Sequence, residues 1–580
     1  MKNIKDRIYN LAYSELEKYG INADLCIEHT LSSFEIRRTD NQTVIAAPNE
    51  IELLYGVYEF AEKFGGWNFF APGKDEFKIE RKVKILSDGI LISAKRPLLK
   101  RCGFIQEFPF NDETEILFDW MAKNKMNYLL VWMKYYDELS DELKEFARIR
   151  GIEIESGHHN FNYWIPGKIY TNAHPDFFAE INGKRIKPSI KDDELLLSEQ
   201  LCTTNPKLRS EIVRRMVEYC DKHPEVKTIS LVPNDGFGWC ECENCSKFYD
   251  KNKKGDFYSI SSHVYKANKI YHDLVRNISD KLNTLRPDIQ LTFCAYINYC
   301  SPSENFFLKK DMAVHFAPYW RCINHALDDP ECEINSAYLK DIKKWNAVKK
   351  GGEINIYEYF MGVNFYLSLP MIHWEKMFKE IQWYNQNGVD GILTQFHISH
   401  WSVYGINYRI MAKAARGEKE SVIKEMLIEL FGKDAQEAEN FYREIERIMQ
   451  NMGKCHIPYP RSLFRRTKLN QFEHIHDLAC SLAAKEPQDK FRHELCIWCE
   501  YLVCFKKLAD KLFAGQAKID DIDNLLNWIH SFHDNRIFVH QKFDIYFNAL
   551  KEAIKSGKSW IHFNIDWEDK YILAHDSLLN

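Results

Sequence analysis

Residues 231–248 read LVPNDGFGWCECENCSKF: an apolar run ends in an amide beside a carboxylate, Asn234 and Asp235, and three cysteines follow at C-x-C-x-x-C spacing. A carboxylate in such a position can give or take a proton during bond cleavage. Asn-Asp-Gly is also ordinary turn chemistry, so a turn-capping role for Asp235 stands beside the catalytic one. Cys240, Cys242 and Cys245 put three thiols in one short loop, and Cys202 could complete a closed tetrahedral zinc site. A loop packed by reduced thiols is the competing reading. An all-thiolate site has no open position, so zinc here would be structural and no catalytic cofactor is expected. Glu358, in INIYEYF, supplies a second carboxylate, and a pair of carboxylates is the minimum equipment for hydrolysing a glycosidic bond.

Something must hold these groups together. From about residue 96 to 415, eight short apolar runs alternate with amphipathic helical stretches: LLKRCGFI, MNYLLVWM, GIEIES, TISLVP, IQLTFCAYI, MAVHFAPYW, INIYEYF and GILTQFH. That alternation predicts an α/β fold built on a (β/α)8 TIM barrel, whose functional side chains stand at the C-terminal ends of its strands. Residues 1–95, with alternating runs and the helical NEIELLYGVYEFAEKF, predict a small α/β domain; residues 416–580 predict a helical one. The strand-end rule nominates Asp235, Glu358 and Asn234 as catalytic. It also nominates Trp132, His158, His159, Asn160, Trp239, Tyr296, Tyr319, Trp320, Gln395, His397 and Trp401 as substrate contacts, the aromatic ones as platforms for sugar rings. Arg101, on the first strand, is expected to bind hydroxyls or a sugar carboxylate, or to hold Glu358 or Asp235 ionised. Arg321 is the other cation placed to meet a uronate.

The 580-residue chain is 45% hydrophobic and 28% charged, with a formal charge of −5 and a pI near 6.5. No long basic run occurs, which argues against nucleic-acid or anionic-membrane partners and for a neutral oligosaccharide or glycan. The start, MKNIKDRIYNLAYSELEKYG, reads as an amphipathic helix without the apolar stretch of a signal peptide, so a cytoplasmic location with reduced thiols is expected. Cys496 and Cys499, in a C-I-W-C run, are expected to be core. Oligomeric state is not encoded in any of these patterns.

ELLYGVYEFAEKFGGWNFFAPG, residues 52–73, resembles the small α/β domain that precedes the barrel in hexosaminidases and α-glucuronidases. PNDGFGWCECENC, with LCTTNP at 201–206 and GHHNFNYWIP followed by HPDFF within 157–178, is similar to glycoside hydrolase family 163. That resemblance implies an endo-β-N-acetylglucosaminidase acting on N-glycans. YEYFMG at 357–362 resembles the strand-end E-Y-x-G of α-glucuronidases, which implies a catalytic base at Glu358. Two mechanisms stay open: substrate-assisted retaining hydrolysis of β-linked N-acetylglucosamine by Asn234 and Asp235, or a carboxylate pair of Asp235 and Glu358, as in an α-glucuronidase-like exo-glycosidase. A non-catalytic carbohydrate-binding protein on the same scaffold is the third reading.

Overall fold

The computed structural model describes residues 3–73, 77–78, 86–188, 200–236, 238–249, 266–319, 321–361, 367–450 and 460–557. Helix α1 (Ile4–Tyr19) is capped at its start by the Asn3 side chain and at its end by Gly20 in the left-handed conformation. It packs with α2 (Glu50–Lys63) on a four-stranded sheet of β1 (Asp24–Ile27), β2 (Glu35–Thr39), β3 (Gln42–Ala47) and β4 (Gly89–Ser93), in the order β1-β3-β2-β4. Leu53, Leu54, Val57, Tyr58 and Ala61 form the buried stripe of α2 and close a core of their own with Ile36 and Ile45.

Eight parallel strands then close into a barrel: β5 (Arg101–Gln106), β6 (Tyr128–Trp132), β7 (Glu153–Gly157), β8 (Thr228–Ser230), β9 (Gln290–Ala295), β10 (Met312–Phe316), β11 (Glu353–Glu358) and β12 (Gly391–Gln395). Each coincides with one of the apolar runs in the sequence. Among the described residues, helices follow seven of them, whereas β9 reaches β10 through a short 3-10 turn, Ile297–Tyr299, and a two-residue strand, Leu308–Lys309. Gly103 is obligatory in β5, because a Cβ there would lie 1.6 Å from the Tyr128 carbonyl oxygen of β6.

Strand parity decides which side chains enter the barrel. On β5, Phe104 points outward against Trp120, Trp401 and Tyr408, so Arg101, Gly103 and Ile105 face in. Arg101 therefore sits at the barrel floor, 2.9 Å from Glu353 and 3.2 Å from Glu153, with its guanidinium over the Tyr128 ring. Above it, Glu155 is buried and bonded to Tyr128 Oη at 2.7 Å and His315 Nε2 at 2.8 Å.

The helices beyond residue 416 pack directly on the barrel. Trp498 Nε1 and Tyr501 Oη donate to the Ser368 and Leu367 carbonyls that follow β11, both at 2.7 Å, and the buried apolar residues of the two parts form one continuous core. Cys480 and Cys496, on the helices Leu469–Lys485 and Lys490–Phe513, are joined in a disulfide, which corrects the expectation of reduced thiols throughout. Cys499 is buried as expected. Among the described residues, no helix is long and apolar enough to cross a membrane.

Candidate active site

The inward parity of β5 continues one step past the strand and delivers Glu107 to the C-terminal mouth. Its carboxylate accepts hydrogen bonds from Tyr357 Oη at 2.8 Å and His158 Nε2 at 3.0 Å; Gln395 Nε2 in turn donates to Tyr357 Oη at 3.2 Å. Burial disfavours the charged form, but the bonds and charge of His158, with Tyr357 and Gln395, outweigh it and bring the pKa down to about 2. Glu107 was not among the residues nominated from sequence, although it stands directly behind RCGFIQ.

Beside this carboxylate the rings of His158, His159, Tyr296, Tyr319, Tyr359 and Tyr357 form a closed circuit, with Trp132 stacked on His158 and neighbouring centroids 4.3 to 6.2 Å apart. His158 holds a left-handed backbone at φ 66°, uncommon for a side-chain-bearing residue, and that turn stacks its imidazole on Trp132. Asp235 belongs to the same mouth, within electrostatic reach of His159 and Tyr296. Burial lowers the pKa of His159 despite that carboxylate, so the ring is held toward its neutral form. His397 packs on Phe108 at 4.5 Å, and burial together with the Lys542 charge lowers its pKa to about 4. Lys542 itself comes from the C-terminal helix His540–Lys555, and its charge also interacts with Glu107. A helix far along the chain thus brings Lys542, its pKa lowered by burial, into electrostatic reach of Glu107, which no sequence pattern announced.

Four polar atoms of this cup are buried without a hydrogen-bond partner among the described residues: Trp132 Nε1, His158 Nδ1, Asp235 Oδ1 and Gln395 Oε1. Buried polar groups in folded proteins are normally satisfied, so such a set suits a ligand rich in hydroxyls, which can both donate and accept.

Other nominated residues have different work. Glu358 does not face Asp235. Its neighbour Tyr357 takes the inward position, and adjacent strand residues point to opposite faces, so Glu358 enters the helix layer and pairs with Arg321 at 2.6 Å and Tyr384 Oη at 2.7 Å. Arg321 also binds Glu380 at 2.5 Å, which leaves it in the ion-pair cluster behind β11 instead of in the mouth. Arg101 is at the floor, as described. Asn234 Oδ1 accepts the Asn162 backbone N–H at 3.1 Å, and Asn160 clamps Ser230 and Val232; both fix the turn. Trp401 is wholly buried between Phe104 and Trp120, and Trp239 packs on Tyr271 and Tyr299, so neither is a sugar platform. Trp320 and the Gly362 of YEYFMG lie outside the described residues.

Behind Asp235, the sulfurs of Cys202, Cys240, Cys242 and Cys245 all lie within 4.8 Å of one another. Cys322, His325 and Cys332 form a separate three-residue cluster.

The chain is thus a closed (β/α)8-barrel protein with carboxylates and aromatic rings at its C-terminal mouth, and comparison with solved structures agrees on the fold. A solved protein described as a GH138 enzyme targeting pectin rhamnogalacturonan II superposes with a TM-score of 0.52 over 100% of this chain and 97% of that one, at 11% identity. The chain belongs to the family described as a domain of unknown function, DUF4838, whose profile matches residues 63–443. No curated protein sequence matches. The expected likeness to family 163 and to an endo-β-N-acetylglucosaminidase is not what these comparisons return.

The charge of Glu107 has a consequence for stability. A carboxylate whose pKa is depressed in the folded state stabilises that state above its unfolded pKa and loses the contribution as pH falls through the folded value. The stability advantage of wild type over Glu107→Gln should therefore shrink between about pH 5 and pH 2. Thermal midpoints of both proteins across that range measure it; a constant difference would mean that Glu107 is not held ionised by its neighbours.

Proposed function

We propose that this chain is a glycoside hydrolase in which Glu107 acts as the ionised carboxylate and Asp235 as the proton donor. The observation that carries the reading is Glu107 itself, kept charged at the barrel mouth inside an aromatic cup whose unpartnered polar atoms include Asp235 Oδ1. Glycosidic cleavage needs one carboxyl group to protonate the leaving oxygen and one carboxylate to attack the anomeric carbon or activate water. Trp132 and the tyrosine rings supply apolar faces for pyranose rings. His158, Tyr357 and Gln395 fix the carboxylate and so lower the reorganisation required at the transition state.

Two substrate classes remain in play. The motif resemblance of PNDGFGWCECENC favours β-linked N-acetylglucosamine, but Asn234, expected to orient the acetamide, spends its side-chain oxygen on the Asn162 backbone. Lys542, whose pKa burial lowers but whose charge interacts with Glu107, suits an acidic sugar, and the structural neighbour is described as targeting pectin rhamnogalacturonan II. The commitment of the Asn234 side-chain oxygen to the Asn162 backbone therefore favours the two-carboxylate scheme over substrate assistance.

The test is a panel of aryl glycosides and oligosaccharides that includes β-N-acetylglucosaminides, chitobiose-core glycans, glucuronides and pectic fragments. Cleavage of at least one is expected, and on a natural oligosaccharide it should fall at least about 100-fold in Asp235→Asn. A thiazoline mimic of N-acetylglucosamine should bind no more tightly than the plain sugar, because only an oxazoline-forming site has reason to prefer it. Strong selective inhibition by the thiazoline would restore the acetamido mechanism. Glycan binding without turnover of any panel member would leave the carbohydrate-binding reading.

A further inference from the structure

We infer that Cys202, Cys240, Cys242 and Cys245 bind one structural zinc ion, and that this ion fixes the loop carrying Asp235. A tetrahedron with Zn–S arms of about 2.3 Å has edges of about 3.8 Å. Cys202 Sγ lies 3.7 Å from Cys242 Sγ and 3.9 Å from Cys245 Sγ, and all four sulfurs lie within 4.8 Å of one another. Sulfurs in plain contact can approach as closely in pairs; four of them gathered at one point, from segments 40 residues apart, is the arrangement a closed metal site requires.

The surroundings supply hydrogen-bond donors to the sulfurs. The Glu180 backbone N–H donates to Cys240 Sγ at 3.3 Å, and Arg185 Nη1 reaches the same sulfur at 3.7 Å. Four thiolates around a divalent ion would leave a net negative site, which the Arg185 guanidinium and the Glu180 backbone N–H offset, as outer partners do at metal centres. Cys202, Cys240 and Cys245 are buried, and Cys242 is half-buried, so the site is shielded from bulk water.

The same two segments are tied a second time at the active-site turn. Gln200, two residues before Cys202, donates from Nε2 to the Asn234 carbonyl at 2.6 Å and the Gly236 carbonyl at 3.2 Å. These carbonyls flank Asp235. The ion would thus clamp the 200–202 segment to the 240–245 loop while Gln200 transmits that fixed spacing to the backbone on either side of Asp235. No open coordination position remains, so the ion's role is positional.

Elemental analysis of the purified full-length chain decides the matter. About one zinc per chain is expected, retained through dialysis against a weak chelator, lost in Cys245→Ser and kept in Cys322→Ala, which disrupts the separate Cys322–His325–Cys332 cluster. Should Cys245→Ser fail to fold, cobalt substitution of the native protein provides the second readout: an intense visible spectrum of tetrahedral tetrathiolate type is expected. A metal-free preparation of normal thermal stability, a metal lost with Cys322→Ala and kept in Cys245→Ser, or a cobalt spectrum of octahedral or mixed oxygen-ligand type would each overturn the assignment.

Discussion

Glu107→Gln and Asp235→Asn are each expected to lower kcat at least about 100-fold on whichever glycan proves to be the substrate, with the fold retained. Both substitutions keep shape and remove the charge or the proton that hydrolysis uses. Their effects should not be alike. Glutamine at 107 can still meet Tyr357 and His158 with its amide, so substrate affinity should change little and the loss should fall on kcat. At 235 the loss should depend on the leaving group, being smaller for aryl glycosides whose phenolate departs without protonation than for natural sugars. The two variants together should be far from additive, because acid and base serve one step. Wild-type turnover in Glu107→Gln would remove it from the chemistry and leave the mouth with Asp235 alone.

Much of this arrangement could be read from residue types, and the part that could not has a definite physical origin. The eight apolar runs located every barrel strand, because a parallel barrel strand is buried on both faces and reads as a continuous hydrophobic segment. That same continuity hides the register. In INIYEYF nothing tells Tyr357 from Glu358 as the inward residue, since both environments are buried, one by the barrel and one by the helix Trp374–Gln386. Arg101 illustrates the complementary error: it lies at the start of β5, and the active end of a barrel strand is the other one. Counting inward from Gly103 in steps of two reaches Ile105 and then Glu107, so the missed carboxylate was within reach of parity once one inward residue was known. Lys542 was not, because the approach of a helix more than 400 residues from Glu107 is fixed by packing that no local pattern records.

The cluster behind β11 makes the sharpest case for separating a structural carboxylate from a catalytic one. Arg321, Glu358 and Glu380 are all buried, and one guanidinium pairs with two carboxylates. Replacing Arg321 by Met leaves both acids without their cation, and removing one partner from a buried charge cluster typically costs about 3–5 kcal/mol, so the thermal midpoint should fall sharply at neutral pH. Glu358→Gln should be mild by comparison. It removes the surplus negative charge, leaves Arg321 paired with Glu380, and keeps a hydrogen-bonding group opposite Tyr384. The pH dependence provides an internal check. Burial already raises the Glu358 pKa against the pull of Arg321, and without the guanidinium it should rise further. A carboxyl whose pKa is higher folded than unfolded binds protons preferentially in the folded state, so the deficit of Arg321→Met should narrow as pH falls from neutrality toward about 4. Turnover per folded molecule in Glu358→Gln should stay within a few-fold of wild type, because the side chain faces the helix layer and the mouth keeps Glu107 and Asp235. A Glu358→Gln protein that folds normally, melts with wild type and yet has lost turnover by orders of magnitude would return Glu358 to the catalytic pair and displace Glu107.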